Sequence, residues 1–413
     1  MIFRYRQIMG KFKFLMPSLI LVLGLIYVLN TNSKKVLILY FAIFIIFFCF
    51  SFIRKSFFTI LSISFLLFLI LLIGYELSSN EIVRYYKNLD LKISFKKEVK
   101  GLDRLLNIST DNNGFRNTGY NQKFKKKIIF IGGSTTLQLM HSDNKTAAGY
   151  LQKNLLNNGY NYQVINTGVS GLRSVHHLNH LKYFSKQKEY FIDENIFIIL
   201  VGANDINYNV KSYFYPERWY KFFNADNVLL IKIIKEITYK YRDKSKLNYT
   251  KDTTFEDDAS KVYFSHRGTF NDKEKILLNK NDYKKITDII KHDISSIHKE
   301  CQKKKLKCVI INQPTLYSSK NQQNPNIRNI LWGIPPFQDY ALSFADSSKI
   351  YNDVNKSTFN TKCSYCFNLN MNELFNYNDL FFIDEIHFSK KGVKFLEKNI
   401  FSFLVKNKII NKK

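Results

Sequence analysis

Ser134 follows two glycines at the end of an apolar run, Lys127-Ile128-Ile129-Phe130-Ile131-Gly132, so its hydroxyl sits at a strand-end turn. A serine hydroxyl alone is a poor nucleophile and needs an adjacent base to take its proton. His387 is the histidine with the right neighbours for that task, because Asp384 precedes it by three residues on the same stretch. A carboxylate so placed holds the imidazole in the useful tautomer and stabilises its positive charge. Attack on an ester carbonyl then creates an oxyanion, which requires preorganised donors. Each element is common when taken singly. Glycine-rich strand ends are usually plain turns or phosphate cradles, and Asn204-Asp205 has the form of a turn or helix cap.

The surrounding pattern is that of elements able to bring such residues together. The runs 127–132, 162–166, 195–201 and 308–311 are short, apolar and rich in β-branched residues, and they read as buried strands. Between them, Ala147, Ala148, Leu151, Leu155 and Leu156 recur at helical spacing, as do Tyr283, Ile286, Ile289, Ile290, Ile297 and Cys301. Gly392, Val393, Leu396, Ile400 and Leu404 mark a closing helix. Strands alternating with helices predict an α/β domain, a three-layer, doubly wound and mainly parallel sheet. Active sites in such sheets lie beyond the carboxyl ends of the strands, where Gly132-Gly133-Ser134, Thr167-Gly168-Val169-Ser170-Gly171 and Gly202-Ala203-Asn204-Asp205 all fall.

Four blocks in this order resemble the SGNH, or GDSL-like, hydrolase family. They are Gly132-Gly133-Ser134-Thr135-Thr136, Asn166-Thr167-Gly168-Val169-Ser170-Gly171, Gly202-Ala203-Asn204-Asp205, and Asp384-Glu385-Ile386-His387 followed by Phe388-Ser389. The lead-in Asn112-Asn113-Gly114-Phe115-Arg116-Asn117 is similar to one in many bacterial members, whereas Gly133 stands where the literal G-D-S-L spelling has Asp. The resemblance implies a flavodoxin-like SGNH hydrolase domain over 107–405, with Ser134, Asp384 and His387 as catalytic triad. It further implies an oxyanion hole formed by the backbone N–H groups of Ser134 and Gly171 and the side-chain amide of Asn204. Glycine suits position 171 because the backbone there must approach the substrate closely. No metal or organic cofactor is needed for this chemistry. Asp205 is expected to cap the turn that positions Asn204, and Arg116 to pack against the domain.

The first 75 residues are of another kind. Three apolar runs at 14–29, 36–53 and 57–74 hold 16 to 18 residues each, against roughly 20 for a span of the hydrocarbon core. They lack the polar face of a buried core helix, and no small-residue cleavage site follows the first. They predict a three-helix transmembrane anchor. Arg4, Arg6, Lys11 and Lys13 before the first run favour an inner N-terminus. Three spans then place the rest outside, as a multi-pass inner-membrane protein with a periplasmic or extracellular domain. The linker 76–106 mixes apolar and basic residues and reads as a lipid-surface segment, a stalk helix or an edge strand; 406–413 is a basic tail.

With 62 Lys and Arg against 33 Asp and Glu, the formal net charge is +29. The basic residues are scattered and accompany no nucleic-acid module, so a nucleic-acid partner is not expected. His141, His176, His177 and His180 lack carboxylate or Cys partners at metal-binding spacing, and surface or packing roles are expected for them. In an exported domain, Cys301, Cys308, Cys363 and Cys366 favour structural disulfides, with Cys363–Cys366 and Cys301–Cys308 both possible. Aromatic-rich insertions at about 207–280 and 318–340 (the second containing Trp332) either line a substrate cleft or form their own cores. The expected activity is hydrolysis of O-acyl, mainly O-acetyl, esters on a cell-surface or exported glycan. The alternatives are an acylated lipid as substrate, acyl transfer onto polysaccharide, and a silent scaffold of an export complex. Oligomeric state is left open.

Overall fold

Short β-branched runs become strands here because helices cover both of their faces. In chain order, the strands are β1 (Asp90–Ser94), β2 (Leu105–Ser109), β3 (Lys126–Ile131), β4 (Tyr162–Asn166), β5 (Ile196–Val201), β6 (Glu274–Ile276), β7 (Lys307–Asn312), β8 (Tyr340–Leu342) and β9 (Cys366–Leu369). The helices are α1 (Ser134–Leu137), α2 (Ala147–Asn157), α3 (Ser174–Phe184), α4 (Ala203–Phe214), α5 (Lys280–Lys304), α6 (Pro325–Arg328), α7 (Phe344–Asn360), α8 (Met371–Phe375) and α9 (Lys390–Lys406). This computed structural model describes residues 88, 90–94, 101–103, 105–190, 194–214, 268–334, 339–376 and 378–412. The apolar runs at 14–29, 36–53 and 57–74, and residues 215–267 of the first insertion, lie outside the described residues. Among the described residues no helix is long and apolar enough to cross a membrane.

The main sheet has the order β4-β3-β5-β7-β9, with every neighbouring pair parallel. Every residue of β5 is buried, as are all but the first of β3 and β7. That is the pattern of parallel strands covered on both faces. Edge strand β4 instead alternates buried and half-buried residues. Parallel crossovers are right-handed, which puts α2 on one face of the sheet and α3, α5 and α7 on the other. The contacts agree: α9 packs on α2, while α5 packs on α3, α4 and α7.

Caps set the helix starts. The Thr146 hydroxyl accepts the Gly149 N–H at the head of α2, and the Ser389 hydroxyl accepts the Gly392 N–H at the head of α9. The loops after β3 and β5 diverge, since the chain continues to opposite sides of β3. A crevice opens at their carboxyl ends by the general rule for open α/β sheets.

Strand β9 is among the elements that the sequence reading did not anticipate. It is four residues long, Cys366-Phe367-Asn368-Leu369, with three of them half-buried, so it carries neither a continuous apolar run nor a clean alternation. Within the 76–106 linker, β1 pairs antiparallel with β2, which is the strand alternative for that stretch. Both disulfides form, Cys301–Cys308 and Cys363–Cys366. The second lies beside β9, whose Cys366 is in register with Cys308 of β7.

Candidate active site

Ser134 opens α1 directly after β3, and His387 lies 253 residues further on, in the loop before α9. The fold brings them together, with His387 Nε2 2.8 Å from Ser134 Oγ. His387 Nδ1 is 2.7 Å from Asp384 Oδ2. An ionised carboxylate only accepts, so Nδ1 carries the proton and Nε2 is left to accept the Ser134 O–H. The other carboxylate oxygen, Asp384 Oδ1, accepts the backbone N–H groups of Ile386 at 2.8 Å and His387 at 2.7 Å.

Burial alone would push the Asp384 carboxyl up. The charge of His387, the bond from its ring and the two backbone N–H groups outweigh that and hold it below the usual carboxylate value. For His387 the balance is the mirror image. Burial pushes the imidazole down, but the charge of Asp384 and its hydrogen bond raise it above its ordinary value.

Asn204 and the loop just after Gly171 lie beside the turn that carries Ser134. Asn204, at the head of α4, donates from Nδ2 to the Leu172 carbonyl at 2.9 Å. A Cβ on Gly133 would stand 2.3 Å from that same Nδ2 and 3.2 Å from the Leu172 oxygen. Glycine at 133, where the G-D-S-L spelling has Asp, is thus what lets the Asn204 amide reach the turn beside Ser134. Gly171 has a second reason to be glycine: its φ is +78°, a conformation that costs other residues strain. Among the described residues, neither the Ser134 nor the Gly171 N–H is spent on another acceptor. We expect Asn204→Ala to lower kcat on p-nitrophenyl acetate by about 10²- to 10³-fold with KM little changed. A drop below threefold in steady-state assays would remove Asn204 from the hole.

Asp205 does something different from the expected turn cap. Its buried carboxylate accepts the Ser174 N–H and hydroxyl, both at 2.9 Å, and so caps α3 rather than its own turn. This ties the Gly171 loop to the start of α4. The Asn166 side chain adds a second tie, donating to the Thr136 carbonyl at 2.9 Å and accepting the Gly168 N–H at 3.0 Å.

Arg116 does pack, and it holds the end of the helix that Ser134 opens. Its buried guanidinium donates to the carbonyls of Leu137 (2.9 Å), Gln138 (3.0 Å) and His141, and to Asp143 Oδ1 at 3.0 Å. Removing one partner of a buried pair leaves the other charge uncompensated. Arg116→Ala is therefore expected to cost about 3–5 kcal/mol of stability, read from urea unfolding; a loss under 1 kcal/mol would show the pair to be dispensable.

Sequence reasoning missed the residues that clamp the Ser134 turn to the Asp384–His387 loop. Gln313, buried just past β7, accepts the Thr135 hydroxyl at 2.7 Å and donates to the Ile386 carbonyl at 3.0 Å. Its one sequence signal was position, a polar residue at the carboxyl end of a strand. His141 is buried, with Nε2 2.9 Å from the Phe388 carbonyl. Burial lowers its imidazole to about 4, with the backbone hydrogen bond opposing, so it stays neutral. His177 and His180 are buried as well, and His176 accepts the Arg173 N–H. Packing and capping thus replace the surface roles allowed for these histidines, and among the described residues no cluster could hold a metal ion.

Glu385, between Asp384 and His387, is buried, and its carboxyl accepts the Trp332 N–H at 2.8 Å. Burial, with the charge of Asp384, raises it to about 8. Trp332 from the second insertion is 8% exposed and its ring centroid is 6.4 Å from that of His387. It forms a wall of the site rather than an exposed platform.

No protein-family profile and no curated protein matches this sequence. Solved structures do resemble it. An acetyl xylan esterase, AlAXEase, is 12% identical over 67% of this chain and 98% of its own, with a TM-score of 0.35. A lipase/acylhydrolase from Enterococcus faecalis is 13% identical over 70% and 98%, with a TM-score of 0.34. A member of the lipolytic G-D-S-L family from Veillonella parvula is 7% identical over 68% and 99%, with a TM-score of 0.36.

Proposed function

We propose that the chain is a serine esterase that removes O-acyl groups, chiefly O-acetyl, from a cell-surface or exported glycan. The observation that carries this reading is the unbroken chain Asp384 Oδ2, His387 Nδ1, His387 Nε2, Ser134 Oγ, with links of 2.7 and 2.8 Å. His387 takes the Ser134 proton as Oγ attacks the acyl carbon, and the new oxyanion faces the N–H groups of Ser134 and Gly171 and the Asn204 amide. As the acyl C–O bond breaks, the same imidazole gives its proton to the departing sugar oxygen, which leaves as a hydroxyl. Water, activated by His387, attacks the acyl-serine and frees the enzyme. A buried neutral His141 and the clamp at Gln313 keep the two halves in register through both steps.

The glycan rests on the outward placement expected from the three apolar runs at 14–29, 36–53 and 57–74. Incubating the full chain with a fluorophosphonate should attach one phosphonyl group, located at Ser134 by peptide mass spectrometry. Absence of label in a cooperatively folded chain would defeat the esterase reading. Placement is tested separately, by fusing alkaline phosphatase after Lys100. We expect an active fusion; an inactive one would put the domain on the inner side.

A further inference from the structure

The loop that supplies Gly171 ends in a cation whose surroundings suit a ligand. Arg173 stacks on the ring of Tyr208, with its Cζ 3.6 Å from the ring centroid. Such stacking fixes a guanidinium through its face and leaves its edge donors unused. Among the described residues no acceptor takes the Arg173 side-chain N–H groups. Asp205, whose buried carboxyl feels the Arg173 charge, spends both oxygens on Ser174. Tyr208 itself is 46% exposed.

Place turns this pair into a subsite. Arg173 is two residues beyond Gly171, a span of at most about 7 Å of extended chain. The carbonyl of Leu172, the intervening residue, already touches Gly133 and Asn204. Tyr208 is one turn along α4 from Asn204, a rise of about 5.4 Å. The guanidinium therefore belongs to the loop that carries Gly171 and stacks on the helix that begins beside Asn204.

We propose that Arg173, held by Tyr208, is a subsite for the carboxylate of an acidic sugar whose O-acyl ester enters at Ser134. This deepens the esterase reading and rests on it for the position of the reacting ester. A guanidinium edge meets a planar carboxylate through two parallel N–H···O bonds, and the neutral portion of the sugar is left to face the triad.

Binding reads this subsite without turnover. The full chain carrying Ser134→Ala is titrated calorimetrically with glucuronic acid, its methyl ester and glucose 6-phosphate. Glucuronate is expected to bind about tenfold more tightly than its ester, the discrimination of a charge-assisted bidentate pair. Arg173→Ala on that background should erase the difference and Arg173→Lys should leave part of it. Lys182→Ala, an exposed cation on the same helix α3, should leave it whole. Equal binding of acid and ester by the parent protein overturns the proposal even if no Arg173 variant folds. So does a preference that survives Arg173→Ala or vanishes in Lys182→Ala, which would point to diffuse positive charge. Tighter binding of glucose 6-phosphate would overturn the carboxylate assignment. Failure to hydrolyse p-nitrophenyl acetate would sink the esterase reading alone.

Discussion

Ser134→Ala is expected to lower kcat on p-nitrophenyl acetate by on the order of 10⁶-fold, the loss seen when a triad nucleophile is deleted. The substitution removes one oxygen from the first residue of α1 and leaves its backbone N–H in place. The sole side-chain bond it breaks among the described residues is the one to His387 Nε2. Folding should therefore be untouched, with thermal unfolding superimposing on that of the parent. What remains is the oxyanion hole and its binding energy, which alone give a small residual rate over water. A decrease of less than tenfold would mean that hydrolysis proceeds without an acyl-serine.

Asp384→Asn should cost about 10⁴-fold in kcat, and the geometry explains why the amide is so poor a replacement. Oδ1 of Asp384 accepts two backbone N–H groups, from Ile386 and His387. An asparagine keeps its amide oxygen in that position, so its NH₂ group faces His387 Nδ1. Two donors cannot face each other, and the imidazole must move its proton to Nε2. That nitrogen can then no longer accept from Ser134.

The pH profile supplies a second readout. His387 acts as a base only when neutral, so kcat/KM should rise with pH through its pKa. In the parent, Asp384 overcomes burial and holds that pKa above its ordinary value, about 6.5 for an unperturbed histidine. Without the carboxylate charge, burial remains and the midpoint should move to lower pH in Asp384→Asn. An unmoved midpoint would show that another group governs the acid limb.

How much of this was legible in the chain depends on how local each feature is. Asp384 and His387 are three residues apart, and Ser134 follows an apolar run, so their types and spacing were readable directly. The central strands β3, β5 and β7 were readable too, because burial on both faces demands continuous apolar residues. Strand β9 was not, being a short edge strand with no such demand. The need for glycine at 171 was visible, but its positive φ was not, because that conformation belongs to the folded loop. Nothing in the sequence marks Glu385, between Asp384 and His387, as buried, yet it is, and it binds the Trp332 backbone from 53 positions away.

What the sequence determined by itself is the set of groups on offer: a serine at a strand end, a histidine with its own carboxylate, and apolar periodicities that make a parallel α/β sheet. Tertiary structure decided which of these meet. The order β4-β3-β5-β7-β9 sets the loops after β3 and β5 side by side, and Gln313 and His141 bolt the distant Asp384–His387 loop to the nucleophile turn. Hydrophobic period fixes which face of an element is buried but carries no information on which neighbour it is buried against. The contacts between Ser134 and His387, between Gln313 and Ile386, and between Arg173 and Tyr208 therefore exist only in the folded chain.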